Sequence, residues 1–116
     1  LSKPINLKKK DVQPHLYHDG SDWWLYFTSD RNGLLSIFRS KHNDSDNIVN
    51  NFDNWSEPEL VISPGVLARD DFFVAGVGDA SLTTRGDISF ETAYCLTTED
   101  FPLDKCEIDP WFLPKK

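Results

Sequence analysis

Three carboxylates, two histidines and four tryptophans are the side chains of this sequence best suited to chemistry. Asp11 and Asp79 each stand at the start of a stretch of β character, and Glu91 lies on the strand that follows the second. Paired carboxylates do general acid–base work when one is ionised and the other is held protonated by its surroundings, and glycoside hydrolysis needs two of them across the sugar. The plainer reading of each aspartate is a turn or strand-end residue that accepts backbone N–H groups. His15-x-x-His18 offers two imidazoles as ligands. On a strand, however, residues i and i+3 point to opposite faces, so the spacing predicts exposed turn histidines rather than a metal pair. Trp23, Trp24, Trp55 and Trp111 are surfaces on which a sugar ring can stack, or else parts of a core. Of these, His15, His18 and Trp55 are the ligand-binding candidates, with Asp11, Asp79 and Glu91 the catalytic ones.

Cys95 and Cys106 are too few for a disulfide framework and have no His or Cys at zinc spacing, so no metal site is expected. A hairpin turning near Asp100 and Phe101 sets them about equidistant from its centre. In an oxidising compartment they can then cross-link, and otherwise they are two small core residues. Asp44-Ser-Asp46-Asn lacks the glycine and distal glutamate of a calcium loop. Arg85-Gly86-Asp87 spells an adhesion tripeptide but falls where a hairpin turn is expected. Asn43 and Asn54 begin glycosylation sequons that matter only in a secreting eukaryote. Neither a phosphate-binding loop nor a nucleophile elbow is present, and no cofactor is expected.

These residues sit in a chain of 116 residues with a net charge of −7 and 27% charged residues, the composition of a folded domain. Lys8-Lys9-Lys10 is the one basic run, so a nucleic-acid groove is not expected. No apolar run reaches the roughly 20 residues of a membrane helix, and membrane insertion is not expected either. The start at Leu1, without a leader, reads as a trimmed or mature product.

Strand patterns must position the candidates. Residues 1–10 read as an arm. From Val12 the chain alternates into an Asp19-Gly20 turn, a hairpin signal. Trp23–Ser29 places Trp24, Tyr26 and Thr28 on one face and Trp23, Leu25 and Phe27 on the other, apolar on both, so it is predicted to be covered on both sides. Asp30–Gly33 is a turn, and Leu34–Arg39 a third strand. Residues 40–54 are a long Asn/Asp-rich loop, followed by a short strand at Glu59–Ile62. After a second loop around Arg69–Asp71, strands are predicted at Phe72–Val74, Gly78–Thr84, Ile88–Ala93 and Cys106–Ile108. No helix is predicted, and the fold class is all-β and antiparallel.

One unit is used twice. Pro14-His-Leu-Tyr-His-Asp-Gly20 lies over Ala80-Ser-Leu-Thr-Thr-Arg-Gly86, and Leu25-Tyr-Phe-Thr-Ser29 over Ile88-Ser-Phe-Glu-Thr92. Repeated antiparallel units of this size point to blades around an axis. The stretch from Asp11 to Ser40 resembles the Asp-x-x-Pro…Asp-Gly…Leu-Tyr-Phe-x-Ser-x-Arg-x-Gly…Ile repeat of TolB-like β-propeller proteins. Asp11, Pro14, Asp19, Gly20, Leu25, Tyr26, Phe27, Ser29, Arg31, Gly33 and Ile37 stand at its positions. Asn54-Trp-Ser-Glu-Pro58 resembles the Trp-Ser-x-Pro that leads into the last strand of a blade. The match is good over residues 11–62 and weaker over 78–116.

The resemblance implies four-stranded blades, about two of them: one over residues 11–62 and a second, degenerate one with a closing segment over 63–116. It implies a C-terminal fragment whose missing blades precede it, completed by further blades or by self-association. It implies a periplasmic or extracellular setting. The function expected is a non-catalytic scaffold binding a protein partner or a carbohydrate. The alternative is part of a propeller-fold, glycoside hydrolase-like enzyme with Asp11, Asp79 and Glu91 on inner strands. A self-contained β-sandwich is the third possibility.

Overall fold

The computed structural model describes residue 5, residues 11–63, 72–96 and 106–115, and for residues 11, 72–75, 94–96, 106 and 107 the backbone only. The basic run, the loop around Arg69–Asp71 and the hairpin tip near Asp100 lie outside the described residues.

Alternation builds the first sheet. Strands β1 (Asp11–His18), β2 (Trp23–Ser29), β3 (Ser36–Lys41) and β4 (Glu59–Ile62) pair in chain order, all antiparallel. The two apolar faces of β2 are both covered, as its pattern requires. Tyr26 and Ile37 enter a core shared with the second sheet, and Trp24 packs against it. Leu25, Phe27 and Phe38 enter a separate core with Ile5 and Trp55. Burying each of these large side chains contributes about 1.5–3 kcal/mol.

The turn after β2 is locked by its own residues. Ser29 is fully buried and its Oγ accepts from both the backbone N–H (3.2 Å) and Nε (3.0 Å) of Arg31. The guanidinium then lies over the stacked rings of Phe27 and Phe38 and donates to the Ile5 carbonyl at 2.8 Å. Gly33, at φ 109°, closes the turn with an N–H to the Asp30 carbonyl. Ser-Asp-Arg-Asn-Gly is therefore structural: it ties strand ends to core rings.

The second sheet comprises β5 (Phe72–Leu82), β6 (Ile88–Leu96) and β7 (Cys106–Leu113), again antiparallel and in chain order. Four strands differ from the sequence expectation, β6 by running on to Leu96 rather than ending at Ala93. The third strand begins at Ser36 rather than Leu34, because Leu35 serves the other sheet: its carbonyl accepts the Val77 N–H at 2.9 Å. Gly76 permits this approach, since a Cβ there would lie 2.9 Å from the Leu35 Cβ. The two short strands expected at Phe72–Val74 and Gly78–Thr84 are one bulged strand along β6. The last strand runs on through Pro110 to Leu113. Among the described residues β7 is an edge pairing only with β6, so proline's missing N–H costs no ladder bond on its open side. The loop of residues 40–54 carries a 3-10 turn at Ser45–Asn47 and is held by buried His42.

The internal repeat is present in the backbone. Register shifts fall between Val12 and His15 in the first sheet and between Gly78 and Ser81 in the second. Inside these bulges Gln13 has φ 55° and Asp79 φ 56°, the non-glycine residues at positive φ among those described. Aligning the bulges matches Gln13 with Asp79, Tyr26 with Ser89, Phe27 with Phe90 and Thr28 with Glu91.

Candidate functional site

At one end of the junction between the sheets lies a cleft of about 290 Å³. The local chain explains its shape. Asp19 folds the β1–β2 turn by accepting the backbone N–H groups of Ser21 (2.9 Å) and Asp22 (2.7 Å) on one oxygen. Its other oxygen accepts the Trp24 indole N–H at 2.9 Å. These donors, the Asp22 amide foremost, hold the Asp19 carboxyl down at about 2.

Trp24, so fixed, is the platform for Arg39, whose guanidinium lies 4.2 Å from the ring centroid. Arg39 also donates to the Tyr26 hydroxyl at 3.1 Å and forms a charged hydrogen bond with Glu59. Partial burial opposes its charge, but the bonds to Tyr26 and Glu59 outweigh burial and raise its pKa above the ordinary value. An always-charged, planar donor is thus preset on one wall.

The opposite wall belongs to the second sheet. Gly86, at φ 97°, has no side chain, and an added Cβ would meet Lys115 Cδ at 3.0 Å and the Tyr17 hydroxyl at 3.1 Å. Lys115 is drawn there because its backbone N–H donates to Asp87 Oδ1 at 2.8 Å. That bond first, then Thr83 and Arg85, lowers the Asp87 pKa. Val61, Leu82 and Ile88 supply apolar lining. The result is a half-open cleft with aromatic walls, an apolar side, a fixed guanidinium, the Lys115 side chain and the Asp19 carboxylate at its rim. Such a set complements a small apolar or aromatic body bearing an anionic group.

The sequence candidates are dispersed. His15 is not an exposed turn residue: its Nε2 accepts the Leu82 N–H at 3.2 Å and so joins the sheets. His18 is exposed, with Nδ1 accepting the Gly20 N–H at 3.2 Å and its ring edge-on to Trp23. The two imidazoles have separate partners, and among the described residues no group of three or more His, Cys, Asp or Glu is placed to hold a metal ion. Trp55 is not a stacking surface; at 4% exposure it is core, packed against His42 and Phe52. The side chain of Asp11 lies outside the described set. Asp79 and Glu91 are exposed beside the second bulge and neither lines the cleft. Cys95 and Cys106 are directly opposite in the β6–β7 register, as the hairpin argument expected of their backbones. Asp87 of the Arg-Gly-Asp triplet is turned inward onto Thr83, Arg85 and Lys115.

Sequence reasoning missed Arg39, Tyr17 and Lys115. Asp19 and Trp24 carried a usable signal, a turn carboxylate five residues before an indole donor, but the partner strand that brings Arg39 over Trp24 is a tertiary fact. No family model matches the chain, and neither a curated protein nor a solved structure matches it.

Proposed function

We propose that the chain is a non-catalytic binding scaffold of the TolB-like β-propeller type, and that its ligand occupies the cleft between the two sheets. The observation that carries this reading is the preset Arg39, held by Trp24, Tyr26 and Glu59 on one side of a cleft whose other side presents Lys115. Fixed donors lower the cost of ordering on binding. The propeller part rests on the twice-used bulged unit and on the repeat resemblance, which also favours a periplasmic or extracellular setting and a protein or carbohydrate partner.

The test is a titration of the Trp24 indole N–H by NMR with benzoate and, separately, with glucose. Benzoate is expected to shift that signal saturably, and Lys115→Ala to weaken the response several-fold. Silence toward both ligands at millimolar concentration sinks the cleft reading. A response to glucose alone moves the ligand class to neutral carbohydrate.

A second reading, part of a propeller-fold glycoside hydrolase-like enzyme, draws on one observation. Asp79 and Glu91 occupy neighbouring strands at the second bulge, a position type found beside active sites. Hydrolysis of aryl glycosides that is lost in Asp79→Asn supports it; absence of any such hydrolysis removes it.

A further inference from the structure

The loop between β3 and β4 holds five asparagines, Asn43, Asn47, Asn50, Asn51 and Asn54, all of them exposed. Asparagine in a loop ordinarily serves the backbone, its side chain bonding nearby main-chain groups. Here the backbone pairs with itself. The N–H groups of Asn47, Asn50, Asn51 and Asn54 donate to carbonyls within the loop, and that of Asn43 donates to the Asn54 carbonyl. The side chains pair with one another instead. Asn43 Nδ2 donates to Asn54 Oδ1 at 2.9 Å, Asn50 Nδ2 to Asn47 Oδ1 at 2.8 Å and Asn51 Nδ2 to Asp44 Oδ2 at 3.4 Å. Each bond fixes one half of an amide. The other halves, Nδ2 of Asn47 and Asn54 and Oδ1 of Asn43, Asn50 and Asn51, have no partner among the described residues.

The loop is braced by buried side chains. His42, 1% exposed, donates Nε2–H to the Asn51 carbonyl at 2.6 Å and accepts the Asp44 N–H on Nδ1 at 3.0 Å. Ile48 packs on the core that holds Trp55. Trp55 stands edge-on to both His42 and Phe52, and Phe52 keeps 45% of its surface exposed. The indole N–H of Trp55 is buried and has no acceptor among the described residues. A buried donor left unpaired is costly, and a hydroxyl entering beside Phe52 would meet it. Asn50, Asn51, Phe52, Asp53 and Asn54 line a shallow depression of about 430 Å³.

We infer that this loop is a second binding site, for a neutral saccharide, with Phe52 against the apolar face of the sugar and Asn50, Asn51 and Asn54 on its hydroxyls. Sugar hydroxyls both donate and accept, as the free amide halves do, and the C–H face of a pyranose packs on an aromatic ring. Amides already held in place lower the cost of ordering on binding. Asp53 alone of the lining residues is charged, so the site does not favour an anion. It shares no lining residue with the cleft between the sheets, and it stands whether or not that cleft takes a ligand.

The test titrates the chain by NMR with maltose, cellobiose and N,N′-diacetylchitobiose in turn. It reads the side-chain amides of the loop and the indole N–H signals of Trp24 and Trp55. At least one saccharide is expected to shift the Asn50, Asn51 and Asn54 amides and the Trp55 indole saturably at millimolar concentration, while the Trp24 indole stays still. Phe52→Ala is expected to weaken that response about fivefold, and Phe52→Trp to keep it. Asn50→Ala, which removes an exposed side chain bonded to exposed Asn47, is expected to weaken it about threefold. Backbone signals of the two sheets report that each variant is folded. Loop signals silent toward all three saccharides overturn the inference, as does a response that Phe52→Ala and Asn50→Ala both leave unchanged. A response confined to the Trp24 indole gives the sugar to the cleft and overturns it too.

Discussion

The two sheets are copies of one design that diverge by position. Where the side chain points into a core in both, its kind is kept: Leu25 and Ile88, Phe27 and Phe90, and the fully buried Ser29 and Thr92. Where the first sheet meets the second and the matching residues are exposed among those described, the kind changes, from Gln13, Tyr26 and Thr28 to Asp79, Ser89 and Glu91. The comparison teaches that the repeated unit consists of a bulged strand and a buried inner row, while the outer row is written by whatever packs on it. The cleft arises from the same asymmetry: aromatic and cationic residues of the first sheet face a glycine turn of the second.

Truncating the shared row is the strongest way to break this comparison. Phe27→Ala, 2% exposed and packed on Phe38 beneath Arg31, is expected to destabilise the chain by about 3–5 kcal/mol in urea unfolding. Phe90→Ala should fall in the same range, because Phe90 fills the corresponding row. A loss below about 1 kcal/mol at Phe90 would mean that the second sheet is held mainly by its own ladder.

The β6–β7 pair, whose counterpart β2–β3 carries no cysteines, gives the next effect. Cys95 and Cys106 are opposed in register, and in an oxidising buffer they are expected to close a disulfide around the intervening ten residues. Reduction, or Cys106→Ser, should then cost about 2–3 kcal/mol. Intact mass before and after alkylation reads the bond directly; two free thiols after oxidation would refute it. Where the sheets touch backbone to backbone, Gly76→Ala drives a Cβ onto Leu35 and is expected to cost about 1–3 kcal/mol. A neutral result would show that the Leu35–Val77 contact is slack.

Much of this architecture was legible in the residues. The two-sided apolar pattern of Trp23–Ser29 required two cores, and Asn-Gly and Asp-Gly marked real turns. The repeat was visible because its buried row keeps aliphatic and aromatic types. The bulges were not visible: aspartate tolerates positive φ and gave a weak hint at position 79, but Gln13 before proline gave none. The length of β7 was hidden by Pro110, which reads as a breaker until the strand is known to be an edge. The cleft was hidden because nothing in the spacing singles out Arg39 or Lys115; only pairing across the sheet puts Arg39 on Trp24, and only the Asp87 carboxylate brings Lys115 home.

The two hairpin turns sharpen the comparison by the smallest effect. Both turn on a glycine at positive φ, Gly20 and Gly86, and both use a carboxylate to organise backbone donors. Asp19 precedes its glycine and orients Trp24; Asp87 follows its glycine and anchors Lys115. Each carboxyl has a folded pKa below its unfolded value, Asp19 at about 2. The folded state therefore binds fewer protons, and the stabilisation is fully present above the unfolded pKa, near 4. It is lost as pH falls from about 4 through 2. Asp19 is exposed, so solvent screening reduces its share to about 1 kcal/mol. Asp19→Ala should lower urea stability by that amount at pH 7, with the gap to the unsubstituted chain closing toward pH 2. An undiminished gap at pH 2 would show that Asp19 acts by shape rather than charge. In the same variant the Trp24 indole N–H loses its acceptor, and the benzoate response should weaken although Arg39 is untouched. A response that is unchanged would separate the turn from the cleft and leave Arg39 positioned by Tyr26 and Glu59 alone.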